Sequence, residues 1–273
     1  GAGDSVSENP GEGIDRVESS VTWALDEDFE NLYLTGYANI DGTGNDLDNE
    51  IFGNPVANHL DGGAGDDILH GTGGDVMTGG LGNDFFWLWS TGNQVVEQPG
   101  EGIDTVRGTV YGTTFLDANV ENLELAGGDG YNGVGNAGDN QITGSAGNNQ
   151  LGGDLGNDTL LGLDGNDTLI GDAGQDWMAG GPGDDVYVVD DLGDSVVENA
   201  GEGLDKVQAW LDWALDANVE NLALLGGANL AATGNELDNR LDGNAGDNVL
   251  SGGAGNDRLD GWGNGWGGTD TLI

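Results

Sequence analysis

The chain has 273 residues and carries 50 Asp and Glu against only 5 Lys and Arg, which gives a formal charge of −45. This balance excludes a nucleic-acid binder, because such proteins present a basic face to phosphates, and it opposes a compact state unless cations bind. Cysteine is absent, which excludes disulfides and thiolate metal sites. Glycine accounts for 56 residues, far above the usual share of about 7%. Because no collagen-like period accompanies them, these glycines are expected in turns.

The N-terminal residues GAGDSVSENP have neither the basic nor the apolar region of a signal peptide. They also lack an initiator Met, which suggests a fragment or a processed product. No stretch approaches the roughly 18 apolar residues of a membrane-spanning helix. An acidic, cysteine-free and glycine-rich composition suits an exported bacterial protein.

A nine-residue unit, G-G-x-G-x-D-x-U-x with U apolar, recurs in three blocks along the chain. The first block, 44–87, contains one eight-residue variant, GTGGDVMT. The second, 135–188, contains six copies in strict phase, from GNAGDNQIT to GGPGDDVYV. The third, 234–273, is interrupted by a four-residue insertion at 261–264.

The spacers between the blocks, 1–43, 92–134 and 192–233, also repeat. Each contains a hidden copy of the unit, as PGEGIDRVE, PGEGIDTVR or AGEGLDKVQ, followed by ENLYL, ENLEL or ENLAL. Glu8, Glu97 and Glu198 mark equivalent starts. Together, spacers and blocks form three superrepeats, which we expect to make one continuous solenoid because no linker separates them: 1–91, 92–191 and 192–273.

One apolar position flanked by polar ones predicts a short strand with a single inward side chain. The six preceding residues, rich in Gly, Asn and Asp, predict a turn. Two repeats then complete one coil, so repeats n and n+2 lie on the same side, and coils stack at about 4.8 Å. The predicted fold is therefore all-β, a parallel β-solenoid, with these residues pointing inward: Ile51, Leu60, Leu69, Met77, Phe86, Ile142, Leu151, Leu160, Leu169, Met178, Tyr187, Leu241, Leu250, Leu259 and Leu272.

Stacked turns would bring the aspartates of the sixth position into unpaired columns that repel strongly. Ca²⁺ resolves this repulsion, because it prefers six to eight oxygen ligands from carboxylates and backbone carbonyls. Asp is also a good turn residue, but this does not explain Asp at one phase in consecutive repeats. The predicted metal ligands are Asp15, Asp67, Asp75, Asp84, Asp104, Asp158, Asp167, Asp176, Asp185, Asp205, Asp257 and Asp270.

Asn replaces Asp in the first two repeats of each block. We expect those coils to bind calcium weakly or not at all, with the Asn side chains forming ladders instead: Asn49, Asn58, Asn140, Asn149, Asn239 and Asn248.

The units GGAGDDILH, GDLGNDTLL, GGPGDDVYV and GGAGNDRLD resemble the haemolysin-type RTX repeats, a calcium-binding motif. The resemblance implies a parallel β-roll, which we expect to be right-handed, with Ca²⁺ under each turn. It also implies type I secretion and folding outside the cell. It does not fix a function, since such repeats accompany toxins, proteases, lipases, adhesins and surface-layer proteins. The Asn repeats, GTGGDVMT and GWGNGWGG depart from the motif.

An enzyme is not predicted. The sequence contains neither a G-x-S-x-G elbow nor an H-E-x-x-H motif. The two histidines, His59 and His70, are expected on opposite sides of the coil and facing solvent. Acidic pairs suited to glycosidase chemistry occur throughout and are uninformative.

The tryptophans favour a second class of function. Trp23 and Trp213 occupy matching spacer positions and are expected in the core or against the ENL strands. The others are irregular, and several should face outward, where aromatic rings can stack on sugars or proteins: Trp87, Trp89, Trp177, Trp210, Trp262 and Trp266.

The sequence thus predicts a non-enzymatic, calcium-binding module of a secreted bacterial protein, which folds with calcium and acts as a spacer. A saccharide- or surface-binding adhesin module is one alternative. Head-to-tail assembly into a filament or surface layer through uncapped edge strands is another.

Overall fold

The computed structural model describes residues 5–9, 11, 13–261 and 268–273. Every regular element in these residues is a β-strand. None of the described segments forms a helix long and apolar enough to cross a membrane. The chain divides into two compact units, residues 1–126 and 127–273. Trp262 and Trp266 lie outside the described residues.

The first unit is built from short parallel strands. Strands β1, β3, β5, β7, β9, β11 and β13 pair in that order, and β2, β4, β6, β8 and β10 pair in a second sheet. The strands are β1 (Arg16–Ser19), β2 (Trp23–Ala24), β3 (Asn31–Leu34), β4 (Gly42–Thr43), β5 (Glu50–Phe52), β6 (His59–Ala64), β7 (Ile68–Gly71), β8 (Val76–Leu81), β9 (Phe85–Leu88), β10 (Gln94–Val95), β11 (Thr105–Gly108), β12 (Gly112–Phe115) and β13 (Asn122–Leu125).

The second unit follows the same plan. Its pairing orders are β15-β17-β19-β21, β14-β16-β18-β20-β22-β24-β26-β28 and β23-β25-β27-β29. The strands are β14 (Tyr131–Val134), β15 (Gln141–Thr143), β16 (Gln150–Gly152), β17 (Thr159–Leu161), β18 (Thr168–Ile170), β19 (Trp177–Ala179), β20 (Val186–Val189), β21 (Ser195–Val196), β22 (Lys206–Ala209), β23 (Trp213–Ala214), β24 (Asn221–Leu224), β25 (Ala231–Thr233), β26 (Arg240–Asp242), β27 (Val249–Ser251), β28 (Arg258–Asp260) and β29 (Thr271–Leu272).

Strand register shows that two repeats make one coil. Leu160 of β17 pairs with Ile142 and Met178, whereas Leu169 of β18 pairs with Leu151 and Tyr187. Repeats n and n+2 therefore stack on the same side, and the predicted parallel β-roll is confirmed.

The predicted inward residues form the core of each unit. All are fully buried, at 0% exposure, except the last two, since Leu259 is half-buried and Leu272 is 53% exposed. The eight-residue repeat keeps Met77 in the core, opposite Leu60. The missing residue is therefore absorbed in the turn and not in the strand.

The spacers contain coils of the same type. In the first spacer β1 pairs with the ENL strand β3, and in the third β22 pairs with the ENL strand β24. Val17 and Val207 occupy the apolar eighth position of the hidden units and are buried. The strand order of the second spacer, β11 to β13, is the same.

Glycine at the fourth position allows the turns to stack directly. A Cβ at Gly174 would overlap the carbonyl oxygen of Gly156, and one at Gly183 would overlap that of Gly165. The backbones of successive turns therefore lie in direct contact at this position.

Candidate metal centres

The sixth-position residues form columns held together by one repeated hydrogen bond. In the second unit the backbone N–H of Asn149 donates to Asp167 Oδ1 at 2.7 Å, that of Asp167 to Asp185 Oδ1 at 2.7 Å, and that of Asp185 to Asp205 Oδ1 at 2.9 Å. Each carboxylate is thus fixed by the backbone of the coil before it. The orientation of the side chain therefore depends on stacking, not on its own turn alone.

The first unit contains an equivalent column. The N–H of Asn49 donates to Asp67 Oδ1 at 2.7 Å, that of Asp67 to Asp84 Oδ1 at 2.8 Å, and that of Asp84 to Asp104 Oδ1 at 2.8 Å. The opposite side of the second unit repeats the arrangement from Asn140 through Asp158 to Asp176. One oxygen of each carboxylate is accounted for in this way.

The second oxygen of these carboxylates is buried and has no hydrogen-bond partner among the described residues. A buried charged oxygen without a partner is strongly unfavourable, and one such atom occurs in seven of the column aspartates. The residues concerned are at most 1% exposed: Asp67, Asp84, Asp158, Asp167, Asp176, Asp185 and Asp205.

The turn brings backbone oxygen to the same place. A Cβ built on Gly162 would overlap Asp167 Oδ2 and would lie 2.6 Å from the carbonyl oxygen of Gly180, in the next coil on the same side. Glycine at the first position therefore leaves open a space where a carboxylate oxygen and a carbonyl oxygen converge. Oxygens of these two kinds are the ligands that Ca²⁺ prefers, so the residues present fit that ion.

Burial disfavours the ionised form of these carboxylates. It raises the pKa of Asp67 from 3.8 to about 8 and the pKa of Asp185 to about 7, with neighbouring carboxylates raising both further. The pKa values of Asp158, Asp167 and Asp205 are raised to about 6, again chiefly by burial. A bound cation would remove this penalty.

A family model for the RTX calcium-binding nonapeptide repeat matches residues 43–76, 71–90, 132–160, 153–187 and 233–272. These ranges cover more than half of the chain. The chain belongs to this family. Its repeats bind calcium, and several Ca²⁺ ions are the cofactor of this RTX chain.

The RTX chain is also similar to the endo-1,3-1,4-beta-glycanase ExsH of Rhizobium meliloti (strain 1021), at 40% identity over 60 residues. The aligned part makes up 22% of this chain and 13% of the glycanase. The chain therefore covers only a small part of that relative's length.

Asp75, in the eight-residue RTX repeat, differs from the other sixth-position aspartates. Its Oδ1 accepts the N–H of Asn58 at 2.7 Å, but its Oδ2 accepts the N–H groups of Thr72 at 2.8 Å and Gly73 at 3.3 Å. Shortening the turn brings these amides to the oxygen that is unpartnered elsewhere. Asp194 Oδ2 likewise accepts the N–H groups of Asp190 and Asp191.

The predicted ligands nearest the chain ends are less enclosed. Asp15, Asp257 and Asp270 are half-buried. The N–H of Asn239 donates to Asp257 Oδ1 and that of Asn248 to Asp270 Oδ1, both at 2.9 Å. Asp257 and Asp270 therefore accept the same inter-coil hydrogen bond as the other predicted ligands, whereas Asp15 donates its N–H to Glu30 Oε2.

In the Asn repeats, hydrogen bonds of the Asn side chain close the turn. Asn149 Oδ1 accepts the N–H of Ser145 at 2.6 Å, and Asn149 Nδ2 donates to the carbonyl of Tyr131 at 2.6 Å. Asn58 makes the corresponding bonds to Asn54 and Ile40. The expectation of Asn ladders between coils was wrong. The amides bond to backbone groups and, as Asn58 does to Asn54, to an Asn side chain in the same turn, because Asn carries both a donor and an acceptor.

Glutamates outside the repeat phase join the columns, and the sequence analysis did not assign them. The ENL glutamates Glu30, Glu121 and Glu220 accept the N–H groups of Asp15, Asp104 and Asp205. The recurrence of ENL after each hidden unit was the signal that could have revealed this role.

The histidines lie on different sheets, as predicted, because β6 and β7 pair with different neighbours. His59 is exposed. His70 is buried, so the expectation that it faces solvent was wrong. Its ring stacks on Phe52 at 3.8 Å between centroids, Nε2 lies 3.1 Å from Glu50 Oε1, and Trp89 Nε1 donates to Nδ1 at 3.3 Å. Burial lowers the pKa of His70.

The tryptophans fall into two groups. Trp23 and Trp213 are half-buried, and each lies in register with core residues. Trp23 pairs with Gly42, which pairs with Leu60. Trp213 pairs with Ala232, which pairs with Leu250, so both occupy inward positions, on strands other than the ENL strands. Trp89, Trp177 and Trp210 are exposed, and Trp87 is half-buried.

Proposed function

We propose that this chain is a calcium-gated structural module of a longer secreted protein, and that it has no catalytic activity of its own. The observation that carries the proposal is the set of buried carboxylates whose second oxygens lack a partner. In the metal-free protein each ionised oxygen opposes folding. Calcium binding and folding are therefore coupled, because the ligand geometry exists only once the coils stack.

Coupling of this kind suits a protein that crosses a calcium-poor compartment before it folds. With a formal charge of −45, the chain repels itself until cations bind. Extracellular calcium modules have dissociation constants of about 10⁻⁴ to 10⁻³ M, which keeps such a chain unfolded inside a cell and folded outside. Secretion is supported by the family alone.

The proposed ligands are the seven aspartates with an unpartnered Oδ2, together with the carbonyl oxygens of the first-position glycines. Asp15, Asp257 and Asp270 are proposed as peripheral ligands because they occupy the sixth position of their repeats with less burial. Asp75 is proposed to have a structural role, since backbone amides occupy its Oδ2.

The absence of catalysis is supported by the two histidines. His70 is held between aromatic rings and hydrogen-bonded to Glu50 and Trp89, and His59 lies on another sheet. The glycanase relative is matched over 13% of its length. Because so little of the glycanase is matched, the proposal does not include glycan hydrolysis by that segment.

Circular dichroism during a calcium titration tests the proposal. The protein in EDTA should lack β-structure at low ionic strength and gain it with a midpoint of about 10⁻⁴ to 10⁻³ M Ca²⁺. Mg²⁺ should be far less effective, because it demands tight octahedral geometry and dehydrates reluctantly. Full β-structure in EDTA, or equal midpoints for the two ions, would contradict the proposal.

A second candidate function is saccharide binding through an aromatic strip, which we define as Tyr33, Phe52, His70, Trp87 and Trp89. The first four occupy one register position on strands β3, β5, β7 and β9. Successive rings stack with centroid distances of 3.8 to 6.1 Å along these strands. Because these rings cover one another's faces, Trp89, which is 51% exposed, is the member of the strip with the most surface left for a sugar ring.

The strip is tested by polysaccharide pull-down with the folded protein in calcium. The variant carrying Trp87→Ala and Trp89→Ala should lose binding, whereas Trp210→Ala, which removes an exposed ring elsewhere, should not. If the double variant binds the polysaccharide as well as the parent protein does, the strip has no role in binding.

A further inference from the structure

Glu97 and Glu198 occupy the first position of their coils, where regular repeats have glycine. Glu97 lies 18 residues after Gly79, the first glycine of GGLGNDFFW, and Glu198 lies at the same point after Gly180 of GGPGDDVYV. A regular repeat offers only a backbone carbonyl at this position. These two coils place a carboxylate side chain there as well.

Both side chains point into the turn. Glu97 is 4% exposed and Glu198 is 7% exposed. The N–H of Gly79 donates to Glu97 Oε1 at 2.6 Å. In the second unit the Tyr187 hydroxyl donates to Glu198 Oε1 and accepts the N–H of Gly180. In both glutamates Oε2 is buried without a hydrogen-bond partner among the described residues.

The unpartnered oxygens meet those of the aspartate column. Carboxylate oxygens of Asp185, Glu198 and Asp205 all lie within 4.8 Å of one another, and Oδ2 of both aspartates is also unpartnered. In the first unit, Glu97 Oε1 accepts the N–H of Gly79, and a Cβ on Gly79 would overlap Asp84 Oδ2. Burial raises the pKa of Glu97, and the charges of Asp104 and Asp84 both raise it further. Three buried carboxylates at this spacing repel one another unless a cation lies among them.

The backbone of each glutamate is held by the same device. Asn119 Nδ2 donates to the carbonyl of Glu97 at 2.8 Å, and Asn218 Nδ2 donates to that of Glu198 at 2.9 Å. Both asparagines adopt the left-handed conformation, with φ of 65° and 68°. The same support in two separate coils indicates that the position of the glutamate is built into the fold.

We propose that Glu97 and Glu198 are metal ligands, and that each forms a three-carboxylate centre with two column aspartates: Asp84 and Asp104, or Asp185 and Asp205. The inference rests on the proposed calcium function and adds a second kind of site to it. Affinity in oxygen-ligand sites rises with the number of charged ligands. These two centres therefore take a hard cation more tightly than regular turns do, and they favour trivalent lanthanides over Ca²⁺ most strongly.

Calorimetric titration with Ca²⁺ and with Tb³⁺ tests this inference on Glu97→Gln, Glu198→Gln and the double variant. Gln is nearly isosteric and keeps an oxygen for Gly79 or Tyr187, so folding at saturating calcium should persist. Each single variant should lose one ion from the tightest class, with that site weakened at least about tenfold. The preference for Tb³⁺ should fall with it. Glu236→Gln, an exposed glutamate in an Asn repeat, is the matched control and should titrate like the parent.

The outcomes separate the two levels of the proposal. If the parent neither binds Ca²⁺ nor folds with it, the proposed function fails. If the parent folds with Ca²⁺ but Glu97→Gln and Glu198→Gln titrate like the parent, the glutamates are not ligands and this inference is wrong. If the double variant does not fold, the single variants decide, because each leaves one centre intact. The inference would also be wrong if Glu97→Gln and Glu198→Gln weakened cation binding no more than the control Glu236→Gln does.

Discussion

Replacing Asp167 by Asn should have opposite effects on the folded state in the presence and absence of calcium. Asp167 is 1% exposed, its Oδ1 accepts the N–H of Asn149, and its Oδ2 has no partner. Asn is nearly isosteric and can keep the first hydrogen bond. It removes the negative charge and directs an NH₂ group to the position of the unpartnered oxygen.

The magnitude in calcium follows from the loss of one buried charged ligand. Removing one partner of a buried, compensated pair of charges costs about 3 to 5 kcal/mol. At 1.4 kcal/mol for each tenfold change in the equilibrium constant, the lower figure corresponds to a roughly hundredfold loss of affinity at that site. If the ion is lost, Asp185, one coil on in the same column, also loses the cation that compensates its charge.

In EDTA the same substitution should stabilise the folded state. Burial raises the pKa of Asp167 from 3.8 to about 6. Holding the ionised carboxylate in the metal-free turn above pH 6 therefore costs about 3 kcal/mol, at roughly 1.4 kcal/mol for each pH unit. Asn carries no such cost, so Asp167→Asn should make the calcium-free folded state more accessible.

The assay is calorimetric calcium titration combined with circular dichroism in EDTA at pH 8. Asp75→Asn is the matched control, because Asp75 is equally buried and is also bonded through Oδ1, but its Oδ2 is occupied by backbone amides. That variant should leave calcium stoichiometry unchanged. If Asp167→Asn binds calcium with the stoichiometry and affinity of the parent, the sixth position is only a turn position and the ligand assignment is wrong.

Three further predictions concern pH, the Asn repeats and the second position of the turn. In EDTA the folded state should gain stability as the pH falls from 8 to 5. The raised pKa values of Asp67 (about 8) and Asp185 (about 7) mean that over this range the folded form binds protons that the unfolded form releases. In calcium the denaturation midpoint should instead fall over this range, and the same dependence of the midpoint on pH in both conditions would contradict the ligand role. Asn149→Ala should lower the free energy of unfolding by about 1 to 3 kcal/mol, through loss of its buried hydrogen bonds, while calorimetry counts the same number of calcium ions. Leu163→Gly should raise the thermal midpoint in calcium, because Leu163 is held at φ 76°, where a side chain costs about 1 to 2 kcal/mol; a lower midpoint would show that the Leu163 side chain contributes more by packing than it costs in strain.

The nine-residue period was enough to predict the strand pairing, because only one register buries the apolar side chain of every repeat. The apolar eighth position has to face inward in every repeat, so Leu160 must lie beside Ile142 and Met178. The same reasoning placed Asp167 directly after Asn149 in a column. Periodicity therefore predicted both the fold and the stacking of the candidate ligands.

Which hydrogen bonds and neighbours each candidate ligand has depends on contacts that the nine-residue period does not specify. Asp75 lies two residues before the core residue Met77, as in a regular repeat, but the shortened turn directs two backbone amides to its Oδ2. Glu198 reaches the column from the first position, which the motif reserves for glycine. His70 is buried because Trp87 and Trp89, one coil later, cover its ring. Each case is a contact between coils that depends on the size of one neighbouring side chain.

The Asn repeats give the aspartate column a base that is closed by side-chain hydrogen bonds. In the second unit, Asn149 satisfies its own turn and bonds to the carbonyl of Tyr131 one coil earlier. Its N–H then orients Asp167, the first carboxylate of the column. Because each carboxylate is oriented by the coil before it, sites formed later in the column require the earlier coils to be stacked. Calcium binding should therefore be cooperative along a column and should propagate from the Asn repeats toward Asp205. Asn149→Ala, which loosens the base without removing a ligand, should lower the Hill coefficient of calcium-induced folding at unchanged stoichiometry, and an unchanged coefficient would show that the coils fold independently of their base.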